Sequence, residues 1–490
     1  MRDLREAATW GGAWPLPPRP GQDEIARKLV ELLSSGARVL LTAPTGWGKT
    51  LAVLVALHSS KLLPAVWMVR SLTLGRRVGE DAALLGLLTV TVAGREKTCP
   101  MHEELGEGVH DYCRYFRYEC PYSRLPMEVR ASSYEELVEL GVREGFCPYY
   151  AQDVMVERAD VIVQSYYRRL PRLARSFVVD EAHNLLMPRE ASYRISEFVE
   201  AVDEVRRIGG SDRLVRSLGS IIRYAISHDG PLDVKLFLDE EALTELHDLY
   251  LEALRSKKRG LTPVIRVVKA QAAYIDAEFL LVYEPRRILP YRPAVFMTAT
   301  MPRGAEKALH VEAILEVPWR KKLRAELVSH LTTKYGEFDS NMVLGYKKLL
   351  LELEARYSRV VAFAASSRVS RELLRVSDYY EVQLPPDWKG VALFRARGKF
   401  SEGVDLPADV VVMLGCPYLP PEVSNRLARC YRAMGVGEPI KMAVDVPMLV
   451  TTLQCIGRVV RSPDANPVVV LADDRYSKYR KELEGYLELE

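Results

Sequence analysis

Short apolar runs alternate with helix-period segments along most of this chain. Val39-Leu40-Leu41 leads into a Gly-containing turn, and an Ala/Leu/Val-rich segment, 51–57, follows it. Just upstream, Ile25, Leu29, Leu32 and Leu33 recur at helical spacing and predict an amphipathic helix over 23–33. Further strands are predicted at 65–71, 88–92, 159–163, 177–179 and 294–297, then at 359–364, 390–394, 410–414 and 468–471, with helical patterns between them. Strand–helix alternation of this kind predicts α/β architecture with parallel, doubly wound sheets, whose ligands bind at the carboxyl ends of the strands.

The rhythm stops twice. Residues 94–148 are rich in Cys, Tyr, Arg and Pro and read as an insertion. Residues 187–291 have a helical pattern, with Leu243, Leu246, Tyr250 and Leu254 on one stripe, and predict a second, mostly helical insertion. The expected organisation is a first α/β domain in three pieces, 1–98, 149–186 and 291–317, interrupted by insertions at 99–148 and 187–290 and followed by a second α/β domain over 318–490. Neither repeats nor low-complexity tracts occur.

Composition adds little to this. A chain of 490 residues at 48% hydrophobic and 27% charged is globular in type and long enough for roughly three domains. Its net charge of +3 excludes an argument for nucleic acid from bulk electrostatics, so any such site must be a local basic surface. No apolar run reaches about 18 residues, and the start of the chain lacks the apolar core of a signal peptide, so a cytoplasmic protein without a membrane partner is expected. Only four Asn and six Gln beside abundant Arg and Glu suit a heat-adapted source.

The chemistry begins at Ala43-Pro44-Thr45-Gly46-Trp47-Gly48-Lys49-Thr50, in the strand–turn–helix setting of a phosphate-binding loop. Thr45 belongs to the turn, Gly46 and Gly48 let the backbone point its N–H groups inward, Lys49 reaches β- and γ-phosphates, and Thr50 can hold Mg²⁺. Asp180-Glu181-Ala182-His183 follows the strand 177–179. Beside such a loop, Asp180 suits the metal and Glu181 a general base. Gln454, Arg458 and Arg461 share one face of a predicted helix and suit a nucleotide's γ-phosphate from a second domain. Gly398 to Pro407 forms a charged turn whose Glu402 and Asp405 can sense nucleotide and whose Lys399 can meet a nucleic-acid phosphate. Gln22 is placed either to read adenine or as a plain surface polar residue.

Four of the seven cysteines, Cys99, Cys113, Cys120 and Cys147, crowd one insertion with the spacing C-x13-C-x6-C-x26-C. Such a cluster reads as a metal or cofactor site before it reads as disulfides, and the absence of C-x2-C pairs weakens a zinc ribbon without removing zinc. Arg114, Arg117 and Arg124 alternate with Tyr112, Tyr115, Phe116, Tyr118 and Tyr122 nearby, a composition suited equally to a single-strand channel and to a wrapping around the cysteine site.

At these residues the chain resembles the superfamily 2 helicases of the XPD/DinG type. The loop, the D-E-A-H box, Thr298-Ala299-Thr300, G-K-F-S-E-G-V-D and Q-C-I-G-R-V-V-R stand in that family's order, and Gly145-Phe146-Cys147-Pro148-Tyr149 is similar to its cysteine segment. The resemblance implies two RecA-like motor domains that hydrolyse ATP with Mg²⁺ between them, a [4Fe–4S] cluster on the four cysteines, and an arch from the helical insertion. It also implies 5′-to-3′ movement on single-stranded or forked DNA, a backbone contact at Arg70-Ser71, a role in repair, and a monomer. Two departures stand out: the arch is short, and Trp47 replaces a small loop residue. An RNA-directed ATPase and a remodelling or recruitment subunit are the rival readings.

Overall fold

The computed structural model describes residues 14–44, 46–166, 168–270, 272–284, 292–302, 304–317, 322–398, 406–460 and 466–490. Strands β1 (Arg38–Thr42), β2 (Ala65–Val69), β3 (Thr89–Val92), β4 (Val161–Ser165) and β5 (Ser176–Val179) open the chain's first sheet. Four strands of a smaller sheet intervene, β6 (Arg189–Arg194), β7 (Gly230–Leu232), β8 (Ala272–Asp276) and β9 (Phe279–Glu284), before β10 (Ala294–Thr298) and β11 (Ala313–Glu316) complete the first. Its seven strands are parallel in the order β11-β1-β10-β5-β2-β4-β3.

Those strands are apolar runs because both faces are covered. Leu40, Val66 and Met68 enter one core, whereas Val39, Leu41, Trp67 and Val69 enter another on the opposite face with the helix Lys49–Ser59. The second domain repeats the design with β12 (Leu323–Leu327), β13 (Arg359–Ala364), β14 (Tyr379–Tyr380), β15 (Gly390–Arg395), β16 (Val410–Leu414), β17 (Val468–Ala472) and β18 (Leu487–Leu489). These too are parallel, in the order β14-β15-β13-β16-β17-β12-β18. The fold is thus two RecA-like doubly wound domains.

The segment 187–291, expected to be mostly helical, also contains a small sheet that its sequence pattern does not announce. Its helices Ile195–Arg207, Asp212–Ser227, Glu240–Arg255 and Thr262–Lys269 carry the antiparallel sheet β6-β9-β8-β7. They also share one core with the cysteine insertion, from which Met101, Leu105, Val109 and Tyr112 pack among Phe198, Leu246, Tyr250 and Leu254. The helix Pro439–Val459 is long and apolar enough by length and composition to cross a membrane. Of its most apolar 18-residue window 67% is buried inside the protein, where Val446 and Val450 join the first sheet's core and Leu449 and Leu453 the second's.

Candidate active site

The phosphate loop leaves the carboxyl end of β1. Gly48 adopts the left-handed region (φ 93°) and caps the helix Lys49–Ser59, so Lys49 and Thr50 fall in its first turn, where N–H groups have no intrahelical acceptor. Side chains hold the loop's carbonyls. Lys49 Nζ donates to Ala43 O at 2.7 Å and Pro44 O at 3.1 Å, Arg19 donates to Gly46 O, and Gln22 Nε2 donates to Trp47 O at 2.8 Å and Gly48 O at 3.3 Å. Gln22 is buried, and its Oε1 accepts from Arg19 N at 2.7 Å. The structure therefore places this glutamine as a brace between Arg19 and the loop, with both ends of its amide engaged. Trp47 is tied to the same segment, its indole N–H donating to Pro20 O at 3.3 Å.

Strand order brings the other motifs to this edge. β10 lies between β1 and β5, and β2 flanks β5 on its far side, so the phosphate loop, Thr298, the Asp180–His183 box and Arg70 end four neighbouring strands. Ala43 N donates to Thr298 O at 3.1 Å, and His183 Nδ1 pairs with Thr298 Oγ1 at 2.7 Å in the buried interior. Glu181 takes the left-handed region (φ 47°, ψ 49°), a conformation that costs a non-glycine residue of order 1–3 kcal/mol and that surrounding structure must hold. Tyr166, invisible as a functional residue in the sequence, does part of this by donating to the carbonyls of Asp180 and, at 3.4 Å, Glu181.

Electrostatics couple the loop to the box. Burial, then the Glu181 charge, push the Asp180 carboxyl up to about 6 against the opposing pull of Lys49. Burial brings the Lys49 ammonium down to about 8, while Asp180 and Glu181 pull it the other way. A divalent cation would favour the charged form of Asp180, and phosphate that of Lys49.

From the second domain, the helix Pro439–Val459 delivers Gln454, whose Nε2 donates to Asn184 Oδ1 at 3.3 Å, directly beyond the box. Arg458 follows one turn later on that helix, its carbonyl accepting from Leu406 N at 3.1 Å. Asn184 is the residue that sequence reasoning missed, because its partners are distant in the chain. Thr45, Lys399, Glu402, Asp405 and Arg461 lie outside the described residues.

The cysteine insertion folds into short helices, and Cys99, Cys113, Cys120 and Cys147 line one cavity with Arg95 and Arg117. All four are free thiols. Burial is the main force raising the Cys99 thiol to about 12, with the other three cysteines adding to it, and it raises Cys120 and Cys147 likewise. Among the described residues no three metal-ligating side chains are close enough together to hold a single ion. The aromatic set read from the sequence divides. Tyr112 and Tyr122 line this cavity with Arg117, whereas Tyr118 is 95% exposed and Arg114 stacks over the Tyr115 ring at 5.4 Å.

A second, larger cavity of about 550 Å³ opens between the first sheet and both insertions. Arg70 and Ser71 reach it from the end of β2, Arg95 and Lys97 from the cysteine insertion, and Arg189 and Arg266 from the second insertion. Tyr149 adds a ring covered by the guanidiniums of Arg95 at 4.0 Å and Arg168 at 4.9 Å.

A phosphate loop, an acidic box and a facing helix on two RecA-like domains are the parts of a nucleotide-driven motor. Residues 352–489 match the helicase C-terminal domain family, and 88–197 match the DEAD_2 family. The chain is 24% identical to the ATP-dependent DNA helicase XPD of Sulfolobus acidocaldarius over 94% of its own length and 96% of that protein's. Among solved structures it is similar to an XPD helicase (TM-score 0.72, 20% identity, 96% of this chain and 99% of that one). It is also similar to an apo XPD (TM-score 0.65, 18% identity, 95% and 100%). By these matches the chain is an ATP-dependent helicase, and it is similar to XPD over nearly its whole length.

Proposed function

We propose that this helicase moves 5′ to 3′ along single-stranded DNA, opens forks in the service of repair, and works as a monomer. The observation that carries the DNA part of this reading is the cation-lined cavity that begins at Arg70, on the same strand edge as the phosphate loop. Arginines from three parts of the chain, which outnumber the glutamates Glu96, Glu107 and Glu284 that also line the cavity, can neutralise a strand's phosphates there. The direction of movement rests on the resemblance to XPD.

In the hydrolytic step, Lys49 and the first N–H groups of its helix bind the β- and γ-phosphates. Asp180 and Thr50 would hold Mg²⁺, which would supply positive charge against the phosphates. Glu181 takes a proton from the attacking water, and Gln454 and Arg458 close on the nucleotide from the second domain. Gln22 braces the loop, and the adenine-reading role expected of it would require its amide to leave the Trp47 and Gly48 carbonyls.

The four cysteines would hold a [4Fe–4S] cluster. Their thiols line one cavity, and Arg95 and Arg117 beside them can balance the negative charge that four thiolates bring. When bound, the group would supply a rigid cross-link within the insertion. Iron and sulfide in an anaerobic preparation are expected, and zinc in their place would overturn this assignment. With the cluster intact, a duplex with a 5′ tail should be unwound and one with a 3′ tail should not. Stimulation of ATP hydrolysis by single-stranded RNA rather than DNA, or stimulation without strand separation, would favour the RNA-directed or the remodelling reading instead. Cys113→Ser is expected to lower unwinding far more than ATP binding, since Cys113 lies outside the nucleotide cleft.

A further inference from the structure

Asn184 stands one residue beyond the box, in the short turn Ala182–Leu186, and is 2% exposed. Its Oδ1 accepts from Arg70 Nη1 at 3.3 Å and from Gln454 Nε2 at 3.3 Å, and its Nδ2 donates to Glu181 Oε2 at 3.4 Å. One buried amide thus touches an arginine of the basic cavity, the second domain and the carboxylate assigned as general base. We propose that Asn184 is the positioning residue that reports occupancy of that cavity to Glu181. The inference rests on the reading of the cavity as a nucleic-acid site.

The chemistry of an amide gives the link its direction. Its oxygen offers two lone pairs, and Arg70 and Gln454 take both. The contacts are long for neutral acceptors and give way easily to a charged one. A phosphodiester in the cavity competes for the Arg70 guanidinium with a charge-assisted bond about twice as strong as a neutral one. Asn184 is then left with Gln454 as its donor from the second domain, and a buried amide that loses a partner re-seats toward those that remain. Its N–H group moves with it, so the Glu181 carboxylate is re-aimed when the cavity fills and the second domain is in place. Glu181 is already held in a left-handed backbone conformation by its surroundings, which leaves its side chain as the part free to turn. Hydrolysis is in this way tied to the presence of the strand.

The test is steady-state ATP hydrolysis by the full chain with and without a single-stranded DNA oligonucleotide at one salt concentration, reading kcat, KM for ATP and melting temperature. Asn184→Ala should cut the ratio of stimulated to unstimulated kcat by about 10-fold with little change in KM, a split that general loosening of the fold would not give. Arg70→Gln should lower the ratio by a similar factor, and the double variant should fall no further, since both act through one chain of contacts. Asn184→Asp keeps the acceptor and removes the donor to Glu181, so it should lose the ratio while keeping its melting temperature. A wild-type ratio in Asn184→Ala, or additive losses with Arg70→Gln, overturns the inference. If Asn184→Ala does not fold, a wild-type ratio in Asn184→Asp does the same. A wild-type protein that no single strand stimulates overturns the nucleic-acid reading itself, a result distinct from stimulation that Asn184 does not affect.

Discussion

The Lys49 ammonium donates to the carbonyls of its own loop, Ala43 and Pro44, and burial holds its pKa down to about 8. Bound phosphate replaces those neutral acceptors with charged ones and favours the protonated amine, so its pKa rises toward or beyond the ordinary lysine value of about 10.4. A group whose pKa rises on binding takes up a proton, and it does so only where the free form is partly deprotonated. Nucleotide binding should therefore take up little proton through Lys49 at about pH 6.5 and a substantial fraction of one at about pH 9. Calorimetry in buffers of different ionisation heat measures this, and Lys49→Ala should abolish the difference together with hydrolysis. Gly48 sets the other limit at this scale. Its positive φ (93°) disfavours any L side chain by roughly 1–2 kcal/mol, and a Cβ there would collide with the Gln22 amide. Gly48→Ala is expected to raise KM for ATP about 10-fold or more, because the displaced brace is the one that holds the Trp47 and Gly48 carbonyls.

Leu105, in a short helix of the cysteine insertion, is fully buried in a core that belongs mostly to the arch-like region. Polar contacts follow the same seam: Tyr250 donates to Asp111 at 2.8 Å, Tyr193 donates to Glu107 at 2.6 Å, and Arg255 pairs with Glu119 at 2.9 Å. The two insertions are therefore one element mechanically, although the sequence separates them by a stretch of the first sheet. Leu105→Ala should cost about 2–5 kcal/mol and raise amide hydrogen exchange in both insertions together, with β13 unaffected. That unity was not legible in the sequence, and the reason is physical. β1, β5, β10, β13 and β16 announce themselves because burial on both faces demands continuous apolar runs. β6 reads Arg-Glu-Ala-Ser-Tyr-Arg and leaves most of its side chains at the surface, so nothing local distinguishes it from a helix or loop, and only its pairing with β9 defines it. The phosphate loop and box were legible because their chemistry is contiguous. Asn184, Tyr166 and the basic cavity were not, since each is assembled from contacts over long separations.

The two RecA-like domains meet through the helix Pro421–Ala433 as well as through Pro439–Val459, and their contact is apolar. Leu427 and Tyr431 enter the same core as Leu185 and Leu186, and Tyr431 donates to the Leu186 carbonyl at 3.3 Å. That carbonyl lies two residues beyond Asn184, so the interface is anchored on the same short turn that carries the link from Gln454 to Glu181. Every described group assigned to the phosphates or metal (Gly46, Gly48, Lys49, Thr50, Asp180) comes from the first domain, whereas Gln454 and Arg458 come from the second. Binding and hydrolysis should therefore separate when the domains are loosened. Tyr431→Ala removes a large buried ring at a cost of about 3–5 kcal/mol, and the loss falls on the interface rather than on either sheet. The expected result is ATP affinity within about 2-fold of wild type with kcat lowered by about 10-fold or more, since the groups that bind stay together and those that must close on the nucleotide do not. Equal loss of affinity and kcat would mean that the second domain shapes the nucleotide site even before hydrolysis, and would overturn this division of labour.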